Sequence, residues 1–254
     1  VAYYNAPVTT FAPSLPHPSN SRIRRYPAVT TPPDRHRGCA NIRKVSARAT
    51  AACLVAGAAV IGCGLLNTAI IADADPCPDA EVVFARGTNE PAGVGAVGQA
   101  FVDSLRSQAP RRSIGVYPVN YPATDAFVSS SFAGAADARA HVENTVATCP
   151  DTRLVLGGYS QGAGVIDMAT ESMPPRVADH VAAVALFGNP ESTFARTLGG
   201  GRLPTISPLY RPKTIDLCVP DDPICSEGRN PAAHVAYIQS GMTNQAASFA
   251  AGRL

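Results

Sequence analysis

The sequence has no tryptophan and only two lysines, Lys44 and Lys213, in 254 residues. Charged residues make up 16% of it and aromatic residues 6%. The formal net charge of +2 conceals an asymmetry, because residues 1–74 carry +6 and residues 75–254 carry −4. Nucleic-acid affinity comes mainly from clustered Lys and Arg that neutralise phosphates, so a body at −4 excludes DNA and RNA as partners. Among the four cysteines of residues 75–254 none stands in a C-x-x-C pair and no histidine lies at ligand spacing from them, which argues against a zinc site. What is present in quantity is apolar: 46% of residues are hydrophobic, enough to bury a sizeable core, and the 21 Gly and 23 Pro follow no fibrous repeat. The length fits one domain with extra segments.

The extra segments are amino-terminal. Residues 1–42 hold seven prolines and a basic cluster at Arg22, Arg24 and Arg25, without hydrophobic periodicity. They read as a disordered, Pro-rich basic leader. Residues 43–74 read as a signal peptide: Arg43, Lys44 and Arg48, then an uncharged stretch from Ala49 to Ala72, then Ala72-Asp73-Ala74 in the A-x-A arrangement of a peptidase site. Two rival uses of this stretch are an uncleaved membrane anchor, for which its 24 residues are long enough, and lipidation at Cys63. Export also suits the cysteines. Three of the seven fall in the leader, and the four that remain, Cys77, Cys149, Cys218 and Cys225, read as two disulfides in any of three pairings.

In residues 75–254, apolar runs at Glu81–Ala85, Ser113–Val119, Arg153–Gly158, His180–Phe187 and Thr214–Cys218 alternate with helical patterns. Those helices are expected near Val94–Gln108, Gly134–Thr148, Gln161–Met173 and Ala232–Ala250. Continuous apolar strands separated by helices indicate a mostly parallel five-stranded sheet buried on both faces, a three-layer α/β sandwich.

The third strand runs into Gly158-Tyr159-Ser160-Gln161-Gly162, a G-x-S-x-G between strand and helix. In that setting it is a nucleophile elbow, which holds the serine on a strained turn while the two glycines keep strand and helix from colliding. A serine nucleophile needs a base and an orienting acid, in the chain order Ser, Asp or Glu, His. His17 and His36 lie in the leader, His141 precedes the serine in a helical pattern, and His180 opens a core strand. His234 remains, after the last strand. Asp216, Asp221 and Asp222 lie between, the first inside the strand. The other two sit in the eight-residue ring that a Cys218–Cys225 disulfide would close, and nothing in the pattern chooses between them.

With these residues in place the body resembles the cutinases and cutinase-like secreted esterases over essentially all of residues 75–254. The carriers are GYSQG at Gly158–Gly162, the A-R-G-[ST]-x-E segment at Ala85–Glu90, and the C-x6-C at Cys218–Cys225. The resemblance implies an α/β-hydrolase-type fold without a lid domain and a carboxylic ester hydrolase without cofactor or metal. It selects Asp222 as the acid, pairs Cys77 with Cys149, and gives the oxyanion hole to Thr88 and Gln161. Ser160, Asp222 and His234 would form the triad. The substrate would be a lipid, polyester or small acyl ester, and the protein a secreted monomer that meets a membrane only through an uncleaved leader. The loops Ala126–Phe132 and Ser226–Ala233 are expected to border the acyl site, with Phe127 and Phe132 as wall residues, and the connections between elements are expected to be short.

The sequence also offers two competing functions. Gly93–Gly98 spells the dinucleotide fingerprint G-x-G-x-x-G, but a seven-residue loop separates it from the strand and the second strand lacks the ribose-binding acid, so nucleotide binding is set aside. A secreted binding protein that retains an esterase fold is the other alternative, since a fold alone does not guarantee activity.

Overall fold

The structure, a computed structural model, describes residues 77–254. The leader expected over 1–42 and the signal peptide expected over 43–74 lie outside the described residues. Among the described residues no helix is long and apolar enough to cross a membrane.

Five strands form one sheet: β1 Ala80–Ala85, β2 Ile114–Pro118, β3 Arg153–Tyr159, β4 Val181–Phe187 and β5 Thr214–Leu217. Their order is β2-β1-β3-β4-β5, and every pairing is parallel. Among the described residues the seven helices are α1 Gly95–Gln108, α2 Phe127–Thr148, α3 Gln161–Ser172, α4 Pro175–Ala178, α5 Thr193–Leu198, α6 Pro231–His234 and α7 Met242–Ala251. Alternate residues of each strand enter different cores. Val83, Leu154, Leu156, Val184 and Leu186 pack with Ala135, Ala138 and Ile166 of α2 and α3. Val82, Phe84, Val155, Ala185 and Phe187 pack with Phe101, Leu105 and Ala246 of α1 and α7. The three-layer sandwich is therefore a direct result of strands that are apolar on both sides. One irregularity bends this alternation: Leu154 pairs with Val181 but Val155 with Ala183, so a bulge at Ala182 sends Val181 and Ala183 to opposite faces.

The chain moves outward from β1 to β2, then returns to the other side of β1 for β3. This reversal opens a crevice at the carboxyl ends of β1 and β3, the place where such sheets bind ligands. Both ends of the described chain lie at the opposite, amino edge. Cys77 is tied to Cys149, just before β3, and the Arg112 guanidinium, two residues before β2, donates to the Leu254 carbonyl.

Three expectations need correction. Helix α2 begins at Phe127, seven residues earlier than its apolar pattern indicates, because Ser129–Ser131 and Gly134 interrupt the periodicity while tertiary contacts hold the turn; Ser130 is buried and accepts from the Thr124 N–H at 3.2 Å. The segment Ala126–Phe132 is thus mostly helix. The terminal helix expected over Ala232–Ala250 is two, α6 and α7, separated where Gly241 takes φ +75°. The link between β4 and β5 is long, not short, and it carries α5 and a 3-10 turn at Arg211–Lys213.

Beneath the crevice, α3 buries Asp167 completely. Asn189 donates to its Oδ2 and to Asp216 Oδ2, each at 3.0 Å, while Asp167 Oδ1 and Asn189 Oδ1 find no partner. Burial pushes the Asp167 carboxyl up to about 8, helped by the nearby charges of Asp216, Glu191 and Glu171 and opposed by the Asn189 bond.

Candidate active site

Ser160 directly follows β3 and caps α3 with φ 54° and ψ −121°, a conformation that non-glycine residues rarely adopt. It is half-buried. Its N–H donates to the Phe187 carbonyl at 2.9 Å, which ties the turn to β4. The flanking glycines are required by packing: a Cβ on Gly158 would overlap the Gly162 carbonyl, and one on Gly162 the Ala85 carbonyl. Strand, turn and helix approach this closely only without side chains there.

The loop after β5 and helix α6 bring the other groups to the serine. His234 Nε2 lies 2.8 Å from Ser160 Oγ. On the far side of the ring, Nδ1 lies 2.8 Å from Asp222 Oδ2 and 3.0 Å from Oδ1. Beside a carboxylate, Nδ1 carries the proton, and Nε2 is left as the acceptor for the serine hydroxyl. His234 is the last residue of α6. That single turn starts with Pro231 and is capped by Asn230, whose Oδ1 accepts from the Ala232 N–H at 3.1 Å.

Asp222 is fully buried, whereas Asp221 is exposed and takes φ 66° to turn the chain. Burial alone would raise the Asp222 carboxyl. Hydrogen bonds from His234, Tyr237 and the Ile224 N–H, with the charge of His234, outweigh it and hold the group below the usual carboxylate range. The ring around this acid is closed by Cys218–Cys225, and the other disulfide joins Cys77 to Cys149.

Thr88 and Gln161 also meet at the serine. The Thr88 hydroxyl donates to Gln161 Oε1 at 3.4 Å, and Gln161 Nε2 donates to the Thr124 carbonyl at 3.1 Å. Thr88 stands on a tightly fastened loop. The Glu90 carboxylate accepts from the N–H groups of Gly87 at 2.6 Å and Ala96 at 2.9 Å, so the start of α1 is filled by the chain's own acid rather than open to a phosphate. Arg86, buried at 6% exposure, donates to the carbonyls of Glu90 and Tyr121, each at 2.8 Å.

Ser160 lines a cavity of about 400 Å3 with Phe127, Val128, Phe132, Met168, Leu198 and Leu203. Phe127 and Phe132 therefore stand in its wall, on helix rather than loop. The opposite wall corrects the expectation that Ser226–Ala233 borders this space: it comes from Leu198–Pro204, within the long β4–β5 link. The other two histidines among the described residues are elsewhere. His141 pairs with Glu81 at 3.0 Å and stacks on Tyr117, and His180 contacts the Pro150 carbonyl. Two tyrosines at the site escaped sequence reasoning. Tyr159 donates to the His234 carbonyl at 2.6 Å, and Tyr237 to Asp222 Oδ2 at 2.5 Å. The only sequence signal for Tyr237 is its spacing of three from His234.

This geometry can be set beside known proteins. The family model described as Cutinase matches residues 76–254. Carboxylesterase Culp1 of Mycobacterium tuberculosis is 66% identical over 184 residues, covering 72% of this chain and 85% of that protein. Phospholipase Culp4 of the same organism is 50% identical, covering 79% of this chain and 90% of that one. Among solved structures, Trichoderma reesei cutinase in complex with a C11Y4 phosphonate inhibitor aligns at a TM-score of 0.58 and 33% identity, covering 70% of this chain and 77% of the other. With a family model spanning the whole described body and relatives at this identity, the chain belongs to the cutinase family, whose members are carboxylic ester hydrolases.

Proposed function

We propose that this protein is a secreted serine esterase that hydrolyses carboxylic esters of lipids or polyesters through an acyl-enzyme. The observation that carries the reading is the bridging imidazole of His234, 2.8 Å from the Ser160 hydroxyl on one side and 2.8 Å from Asp222 on the other. Ser160 Oγ attacks the ester carbonyl as His234 Nε2 takes its proton. The tetrahedral oxyanion is held by the N–H groups of Thr88 and Gln161 and by the Thr88 hydroxyl, which turns from Gln161 Oε1 toward the new charge. His234 then returns the proton to the leaving alcohol, and a water activated by the same nitrogen releases the acid. Asp222 stays ionised throughout, fixes the Nδ1–H tautomer and stabilises the imidazolium.

The acyl part fits the cavity beside Ser160, whose walls of Phe, Val, Met and Leu offer apolar contact with few polar groups. The alcohol part faces outward, which suits substrates too bulky to be enclosed. The relatives named carboxylesterase and phospholipase support ester chemistry without choosing the alcohol.

An organophosphonate tests the reading, because it is attacked by an activated serine and stops at a stable adduct. Stoichiometric labelling at Ser160, with p-nitrophenyl ester turnover lost in Ser160→Ala, is the expected result. No labelling, or more than about 10% of activity in Ser160→Ala, would sink it in favour of a non-catalytic binding protein.

A further inference from the structure

Tyr237 is fully buried, and its ring is fixed edge-on against three aromatic neighbours. Phe187 lies at 6.1 Å and 79°, Tyr159 at 5.7 Å and 63°, and His234 at 6.3 Å and 90°. Gly188 leaves room for this packing, since a Cβ there would stand 2.9 Å from the Tyr237 hydroxyl and 3.0 Å from His234 Cε1. The hydroxyl has little freedom to turn elsewhere. Its short contact is the 2.5 Å bond to Asp222 Oδ2; the Val219 N–H donates to it at 3.4 Å, and Cys225 Sγ, which has no proton because it is in a disulfide, lies 3.4 Å away.

A buried phenol needs an acceptor, and a backbone carbonyl would serve for that purpose alone. Here the acceptor is the oxygen that also receives His234 Nδ1–H. The Ile224 N–H takes the other oxygen at 2.8 Å. Three donors thus converge on one fully buried carboxylate. Each donor stabilises the anion and lowers its basicity, so a bond from the phenol bears on how hard Asp222 pulls at the imidazole.

We propose that Tyr237 is a positioning residue of the hydrolytic site, whose hydroxyl orients Asp222 and draws off part of its charge, thereby setting the strength with which Asp222 holds the His234 imidazolium. The inference rests on the reading of Ser160, His234 and Asp222 as one catalytic unit. No proton leaves Tyr237 during turnover. Burial and the neighbouring carboxylate push its hydroxyl far up, which keeps it a donor at any working pH.

Loss of the phenol hydroxyl leaves Asp222 Oδ2 with His234 alone. The more basic carboxylate holds the imidazolium more tightly, so His234 becomes available as a base only at higher pH. A hydrogen bond to a charged group is worth roughly 10- to 100-fold, and part of this is realised in the transition state. For Tyr237→Phe in the full-length chain we expect kcat to fall about tenfold and KM to change less than about twofold. Phosphonate labelling should reach full stoichiometry at Ser160, only more slowly. The acid limb of kcat/KM for a p-nitrophenyl ester should move up by about half a pH unit or more.

Replacement of Tyr237 by 3-fluorotyrosine gives the opposite sign with the hydroxyl retained. The fluorine makes the phenol a stronger donor, and the acid limb should move down. This variant decides the matter if the Phe variant does not fold. A limb that stays in place in whichever variant folds overturns the proposal, whatever happens to the rate or the melting temperature, because packing alone would not move it. A wild-type protein that the phosphonate does not label brings down the hydrolase reading itself, and this inference with it.

Discussion

At the scale of single residues the proposed mechanism divides the site into groups that take part in the reaction and groups that leave room for them. Thr88, as proposed oxyanion donor, belongs to the first kind. Its hydroxyl faces Gln161 Oε1 at 3.4 Å, a weak bond that is easily exchanged for a developing oxyanion. Thr88→Ala should therefore lower kcat by roughly 10- to 1,000-fold with little change in KM, while Gln161→Ala, which keeps its backbone N–H, should lose less. Steady-state kinetics on both variants check this, and equal losses would contradict the assignment. Gly162 belongs to the second kind. With the Ala85 carbonyl where its Cβ would be, Gly162→Ala must displace the Ser160 turn, and both melting temperature and turnover should drop. Chain order and the elbow made Ser160 and His234 legible in the sequence. The choice of Asp222 over Asp221 was legible only through family resemblance, because burial and a backbone φ of 66° leave no mark on composition. Tyr237 left only its spacing of three from His234, too weak a mark to read. A tyrosine near a terminal helix looks the same whether its hydroxyl meets a carboxylate or a carbonyl.

At the scale of elements, each disulfide fastens a different thing. Cys77–Cys149 spans a sequence separation of 72, and Cys218–Cys225 one of 7. In the loop-closure model these remove about 4.4 and about 2.5 kcal/mol of unfolded-state entropy. Opening the larger loop with Cys77→Ser and Cys149→Ser should chiefly lower the melting temperature. Opening the smaller with Cys218→Ser and Cys225→Ser should leave a folded protein of much reduced kcat, since Asp222 sits in that ring and Tyr237 packs against Cys225. Melting curves and kinetics on the two double variants separate these outcomes, and full activity in the opened small ring would refute its positioning role. Elements with long periodic patterns, such as α1 and α3, were readable. The first turns of α2 and the six-residue α5 were not, because tertiary packing and not periodicity sustains them. Those two unread elements supply opposite walls of the cavity.

For the molecule as a whole, stability should depend on pH through two buried carboxylates that act in opposite directions. Asp222 is held below its ordinary value, so its contribution is present above about pH 4 and is lost as pH falls further. Asp167 titrates near 3.8 when unfolded and about 8 when folded, so its contribution is full below about pH 4 and declines as pH rises toward 8. Asp167→Asn, which can both donate to and accept from Asn189, should reduce the alkaline decline, of which Asp216, pushed up to about 6 by burial, keeps a part, and raise the melting temperature at pH 8 by several degrees. Melting curves from pH 4 to 9 test this. The sheet and its two cores were legible throughout, since strands apolar on both sides admit few other architectures. The amino edge of that sheet has a practical counterpart. Cys77 and Leu254 both leave the body there, and Ser160 opens at the carboxyl edge. A linker fused after Leu254 will carry the enzyme with its Ser160 face turned away from the support. Molecules grafted to beads through Leu254 should digest an insoluble ester film placed against them, whereas grafting through a cysteine introduced at Phe132 should silence them.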